Sequence, residues 1–391
     1  MLEKRLTFCI PTRSFFCIIL TLLFVNALAY SEAAVEISPR VEQNFSTHWL
    51  YTPKDVGGGE NPALSDASFD QVSVPHANII TPGETFDPDL FRFVSWYRKH
   101  FRPDPSWKGK LVTARFQGVM TVADIYLNGK HLAQHKGGYT SFDVDLTPAL
   151  RFGADNVIAV KVDSREHKEV PPEGARKLFG YYNFGGIQRD VQLIVCDKLH
   201  IEHVYYVTTR IQPDAAVAAT ITVHNDRPSA AEAAVRVHIL DDQGKEVAAA
   251  AANANVGAGQ SQDVRADLAP ISGPKLWDPD HPNRYIAVAE VAEGSTTTDK
   301  DRTWIGLRQM DWNDNGLLIN GHPVKIRGLN RHQTQPFIGG SVPNRLQRRD
   351  ALIMKYQLGL NMVRSSHYPP DPEFLDECDR VGLLVLDEFP S

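Results

Sequence analysis

The sequence predicts a multidomain chain: a jelly-roll β-sandwich, an immunoglobulin-like β-sandwich, and the first three strands of a parallel β/α barrel. Three observations carry this. Short strand patterns bounded by turn residues run from about Val35 to Trp304 with no convincing helix. Near Leu199 the composition shifts towards Ala, Val and Thr. After Trp304, strand patterns alternate with amphipathic helices, as parallel β/α units do.

With 391 residues, several domains are expected. A content of 42% hydrophobic and 23% charged residues supplies several cores and carries no signature of disorder. A net charge of -6 argues against a nucleic-acid partner, which would need a basic stripe.

The N-terminus reads as a targeting segment. Lys4, Arg5 and Arg13 precede the apolar run Phe15 to Ala29, and Ala27-Leu28-Ala29 is a small-x-small cleavage site. Residues 1–29 are therefore expected to be a signal peptide cleaved after Ala29, which makes the protein secreted or periplasmic. A run of about 15 apolar residues falls short of the roughly 20 that span a bilayer. No stable membrane insertion is expected after cleavage. Cys9 and Cys17 lie in this segment, leaving Cys196 and Cys378. Export would permit a disulfide, but Cys378 falls on the apolar face of a helix, so two buried thiols are expected. Two cysteines make no metal motif, and the residues of this chain call for no cofactor.

Residues 35–197 form the predicted jelly roll. Ile125-Tyr126-Leu127 runs into Asn128-Gly129, the strongest short hairpin signal. Ser141 to Leu146 alternates with period two, and Val157 to Val162 is a further strand. Residues 198–305 form the predicted immunoglobulin-like sandwich, with strands over Val217–His224, Val235–Leu240 and Tyr285–Val291. The run Ala248 to Ala254 has the composition of a helix but lacks an apolar stripe.

Residues 306–391 begin the barrel. Leu317–Ile319 and Val324–Ile326 flank Asn320-Gly321 as a hairpin. In the first helix Leu352, Ile353 and Tyr356 share a face, and Gly359 supplies the stop. In the second, Asp371 is the N-cap and Pro372 the first helical residue. Phe374, Leu375, Cys378 and Val381 form its stripe, and Gly382 ends it. Leu383 to Leu386 reads as a strand buried on both faces.

Parallel barrels place their chemistry at the C-terminal ends of strands. His332 leaves the first barrel strand, and its imidazole can donate to or accept from a sugar hydroxyl; the plainer reading is a satisfied surface histidine. His367 follows the second strand, with packing as its plainer role. Arg364 could orient a carboxylate through its planar fork, or form a buried structural ion pair. Asp387 and Glu388 end the third strand. Neighbours on a strand point to opposite faces, so at least one of these acids is expected to be structural. Gly185 to Val191 reads as a turn into a strand, with Arg189 or Asp190 making a structural pair.

The run Asn361-Met362-Val363-Arg364-Ser365-Ser366-His367-Tyr368-Pro369, followed by Asp379, Gly382 and the apolar strand, resembles glycoside hydrolase family 2. Asn330-Arg331-His332 is similar to its β-galactosidase branch, and Gly186 to Val191 to the end of the family's sugar-binding domain. The resemblance implies a jelly roll, an immunoglobulin-like sandwich and a (β/α)8 TIM barrel. It implies substrate contacts from His332 and His367, with Arg364 beside the catalytic carboxylates. It also implies retaining cleavage of terminal β-linked sugars, by an acid/base after barrel strand four and a nucleophile after strand seven. Both lie beyond Ser391, so no catalytic residue is assigned here and the 391-residue chain is expected to be inactive. The galactosidases' divalent-metal ligands would lie beyond Ser391 too. Those enzymes carry an acid shortly before the Gly-Ile segment, whereas Ala175 to Phe184 has none. The alternatives are a β-glucuronidase or β-mannosidase of the same family, or a non-catalytic carbohydrate-binding protein.

Overall fold

The structure, a computed structural model, describes residues 38–81, 87–171, 181–314 and 316–390. The predicted signal segment and residues 175–180 lie outside the described residues.

Two antiparallel sheets build the first sandwich. One orders Val41–Asn44, Val191–Cys196, Leu111–Phe116 and Phe142–Asp145; the other orders Asp70–Val72, Trp49–Thr52, Val94–Phe101, Asn156–Asp163, Val122–Leu127 and Lys130–Lys136. Alternation turns Val112, Ala114 and Phe116 inwards, where they meet Trp49, Ile125, Leu127 and Val160 in one core. The predicted Asn128-Gly129 hairpin is present, with φ of 54° and 85°, both in the left-handed region that a tight hairpin turn needs.

The second sandwich packs Leu199–Arg210, Ala216–Asn225 and Gln260–Asp267 against Glu246–Val256, Ala231–Leu240, Tyr285–Glu293 and Thr296–Ile305. The Ala-rich run is a strand, paired with Ala231–Leu240 along its length. Its helix propensity yields to the burial of Ala248 and Ala254 in the core. Between the sandwiches, Arg40 Nη2 meets Asp299 Oδ2 at 2.6 Å and donates to Ile201 O at 2.6 Å.

The barrel segment opens with an antiparallel ribbon, Met310–Asn313, Gly316–Ile319 and His322–Pro323. The last arm pairs at His322–Pro323, ahead of the predicted Val324–Ile326, which forms no strand. Asn361 Nδ2 donates to Lys325 O at 2.9 Å and Asn361 Oδ1 accepts from Arg327 N at 2.8 Å, which holds residues 325–327 off the ladder. Three parallel strands follow: Gly328–Arg331, Met362–Ser365 and Leu384–Leu386.

The first barrel helix, Asn344–Leu352, continues into a π-helical turn over Ile353–Gln357. The predicted stripe is corrected here. Gln347, Ala351 and Met354 are buried, whereas Tyr356 is 67% exposed. The wider turn bonds Leu358 N to Ile353 O and rotates Tyr356 off the core. The second helix, Pro372–Val381, is capped as predicted: Asp371 Oδ1 accepts from Glu373 N at 2.9 Å, and Gly382 has φ 80°. Phe374, Cys378 and Val381 are buried, Leu375 only partly. Cys196 and Cys378 are free and buried, and burial pushes the Cys196 thiol up to about 12. A second correction concerns the third strand. It is not buried throughout: Leu386 is 47% exposed, because no strand pairs with its outer edge among the described residues.

Two glycines with left-handed backbone provide a matched test. A Cβ at Gly359 would meet nothing within 4 Å, whereas one at Gly382 would lie 2.3 Å from the Pro279 carbonyl oxygen. Gly359→Ala should cost roughly 1–2 kcal/mol, the strain of a left-handed residue. Gly382→Ala should cost clearly more, because the backbone of residue 279 must also move. Urea midpoints of the two variants check this; equal losses would refute it.

His76 packs tilted against Tyr51 and edge-on to Tyr97, and shares a hydrogen bond with Tyr97 Oη at 2.9 Å. Burial lowers its imidazole to about 4, from an ordinary 6.5. The unfolded chain takes up this proton below pH 6.5 and the folded chain does not. The contribution of His76 is therefore complete above pH 6.5 and falls as the pH drops from 6.5 to about 4. The loss of unfolding free energy between pH 7 and 4.5 should be smaller in His76→Gln than in the parent, by on the order of 1–2 kcal/mol. Parallel denaturation curves at the two pH values measure it.

Candidate active site

The three parallel strands end together and deliver polar side chains to one mouth. His332 follows the first strand, Arg364 lies in the second, His367 lies two residues past it, and Glu388 lies two residues past the third. Arg364 Nε donates to Glu388 Oε1. His367 Nδ1 stands 3.4 Å from Glu388 Oε2 and 3.5 Å from Arg364 Nη2. The His332 ring lies edge-on to that of His367, with centroids 5.3 Å apart. Arg364 and His367 thus face one carboxylate, Glu388, and His332 packs against His367.

Arg364 does form an ion pair, with Glu388, but it is only partly buried. Its side chain is 36% exposed, so the pair lies at the rim of the mouth. Desolvation holds the His332 imidazole below its ordinary range, with His367 and Arg364 adding to the effect. A neutral imidazole at neutral pH can both donate and accept.

The choice between the two terminal acids is decided by Ser365. Its hydroxyl donates to Asp387 Oδ1 at 3.2 Å and accepts the Glu388 N–H at 3.1 Å. Asp387 is thereby a structural partner of the second strand, and Glu388 turns the other way into the cluster.

The first sandwich supplies a second wall. The buried Tyr181 ring lies 5.7 Å from His332 and 5.5 Å from each of His367 and Tyr368. Tyr139 stacks on Tyr368 at 4.2 Å with 7° between planes. Arg189 is buried; it donates to Tyr139 O at 2.8 Å and Pro369 O at 2.5 Å, with Nε 3.9 Å from Asp371 Oδ2. Burial raises the Asp371 carboxyl, and Arg189 opposes this. Asp190 accepts from Ser46 Oγ at 3.1 Å and Asn344 Nδ2 at 2.8 Å. Both members of the Arg189-Asp190 pair are therefore structural, and both tie the sandwich to the barrel.

Sequence reasoning did not select Tyr181 or Tyr139, and left Glu388 undecided. The aromatic run Tyr181-Tyr182 just before the Gly185 segment was the available signal, but its partners lie more than 150 residues away. Among the described residues no group of three or more His, Cys, Asp or Glu is placed to hold a metal ion, and no helix is long and apolar enough to cross a membrane. The cluster's chemistry is hydrogen bonding: two imidazoles and a guanidinium edge suit the hydroxyl groups of a sugar ring.

Three family profiles match in succession: "Glycosyl hydrolase 2 galactose-binding domain-like" over residues 92–181, "Glycosyl hydrolases family 2" over 199–308, and "Glycosyl hydrolases family 2, TIM barrel domain" over 310–391. A β-galactosidase of Thermoanaerobacter pseudethanolicus is 42% identical over 351 residues, covering 89% of this chain and 46% of that protein. A putative β-glucuronidase of Formosa agariphila is 30% identical over 375 residues, covering 95% and 44%. Bacteroides uniformis β-glucuronidase 2, solved covalently bound to a cyclophellitol-6-carboxylate aziridine, superposes with a TM-score of 0.81 at 28% identity, covering 90% of this chain and 42% of that one. The chain thus spans less than half the length of these relatives. On the profiles, the relatives and the fold together, the chain belongs to glycoside hydrolase family 2.

Proposed function

We propose that this chain is the sugar-recognising part of an exported, retaining β-galactosidase-like hydrolase acting on terminal β-linked sugars. The observation that carries the reading is the convergence of Arg364 and His367 on Glu388, with His332 packed against His367, at the ends of three parallel strands. In this reading the two histidines hold hydroxyls of the innermost sugar, and Arg364 orients Glu388. Export rests on the predicted signal peptide at residues 1–29. A neutral hexose is favoured over a glucuronide, because the one guanidinium of the cluster is already paired with a carboxylate. The 42% identity with a β-galactosidase supports the same choice.

Retaining hydrolysis uses two carboxyl groups about 5 Å apart, one as acid/base and one as nucleophile. The cluster offers a single carboxylate, and it is committed to Arg364 and His367. A polypeptide ending at Ser391 should therefore show no turnover of nitrophenyl β-galactoside, β-glucuronide or β-mannoside. Hydrolysis of any of the three by the purified polypeptide would refute this.

Hydrogen bonds to sugar hydroxyls strengthen as the ring flattens towards the oxocarbenium-like transition state. Losing one such contact should cost about 2–4 kcal/mol, by analogy with removal of one preorganised donor. In an enzyme completed with the remaining barrel strands, His367→Ala should lower kcat roughly 30- to 1000-fold and leave the melting temperature nearly unchanged. Kinetics and a thermal melt on the same variant separate this from a packing role, which would lower Tm and spare kcat.

A further inference from the structure

A groove of about 400 Å³ lies between the second sandwich and the barrel segment. The second barrel helix runs back from the mouth, and Asp379 in its last turn lines this groove at the opposite end from His332 and His367. Two aromatic side chains border it, Tyr205 at 71% exposed and Trp304 at 51%. The Arg284 guanidinium lies 4.6 Å from the Trp304 ring centroid and props the indole on one side.

Its polar side chains interact only loosely with one another: Arg308 and Arg284 act on the Asp379 carboxylate through space. The Tyr206 hydroxyl is buried with no hydrogen-bond partner among the described residues. Arg308 rests over the Trp277 ring at 5.0 Å, and neither it nor the Asp379 carboxylate forms an ion pair or a side-chain hydrogen bond among the described residues. A buried hydroxyl without a partner costs free energy that a ligand can recover. Sugar hydroxyls both donate and accept, so one sugar can satisfy a phenol, a guanidinium and a carboxylate together. Its ring C–H face meanwhile covers an aromatic side chain. A peptide or a second copy of the chain would have to bring a separate partner for each of these groups.

We propose that this groove is a second carbohydrate site, taking a neutral β-linked oligosaccharide through Tyr205, Tyr206, Trp304, Arg308 and Asp379. The test titrates the full 391-residue chain with three β-1,4-linked tetrasaccharides, of glucose, mannose and galactose, following tryptophan fluorescence and calorimetric heat. At least one should saturate. Trp304→Ala and Tyr205→Ala should each weaken it by roughly 3- to 10-fold, the worth of one aromatic contact. Tyr205 is well exposed, so its removal tests the site even if the Trp304 variant is unstable. The proposal is overturned if no tetrasaccharide saturates. It is equally overturned if His367→Ala abolishes binding while the groove variants do not, or if sedimentation shows a dimer that Trp304→Ala dissociates.

Discussion

The buried guanidinium of Arg189 joins two carbonyls from distant parts of the chain, Tyr139 in the first sandwich and Pro369 just past the second barrel strand. Burying such a charge is costly unless its donors are satisfied, so the two segments cannot separate cheaply. Tyr139 is held where it stacks on Tyr368, and Pro369 is held where the chain leaves His367. Asp371, beside the same guanidinium, caps the second barrel helix. One cation thus couples the sandwich, the turn carrying His367 and the start of the next helix. Asp190, the next residue, adds a second tie through Asn344 to the first barrel helix.

This coupling explains why the mouth is built by two domains. A barrel segment supplies the histidines and the arginine, but their outer wall is Tyr181. Within the mouth, charge sets the division of labour. Arg364 and His367 both face Glu388, whereas Asp387 is turned away by the Ser365 hydroxyl. His332 remains the least encumbered hydrogen-bonding group of the cluster, and desolvation, with His367 and Arg364 nearby, favours its neutral form.

The second sandwich steadies the other end of the barrel segment. Trp277 donates through Nε1 to Asp379 O at 2.9 Å, and Lys355 bridges Pro279 O and Gly382 O at 2.5 and 3.0 Å. Gly382 is required twice over, once by its left-handed backbone and once by the nearby Pro279 carbonyl. These contacts fix the second helix at its C-terminal end while Asp371 fixes it at its N-terminal end.

Local signals in the sequence were enough for the strands, the Asn128-Gly129 hairpin, both caps of the second barrel helix and the order of the three folds. Each depends on residues within a few positions of one another, through side-chain period, left-handed glycine or an N-cap oxygen. The same proximity to strand ends marked His332, Arg364 and His367 as candidates. Where reasoning from pattern failed, the cause was not local. Tyr356 left the core because a π turn changed the helical phase. Leu386 is exposed because burial of a strand depends on its neighbours. The roles of Asp387 and Glu388 followed from a hydroxyl on the adjacent strand. The Tyr181 wall pairs residues more than 150 positions apart and the Arg189 joint spans 50 and 180 positions, and a linear sequence carries no period that would reveal such a contact. Only the packing of a sandwich against a barrel brings those side chains within reach.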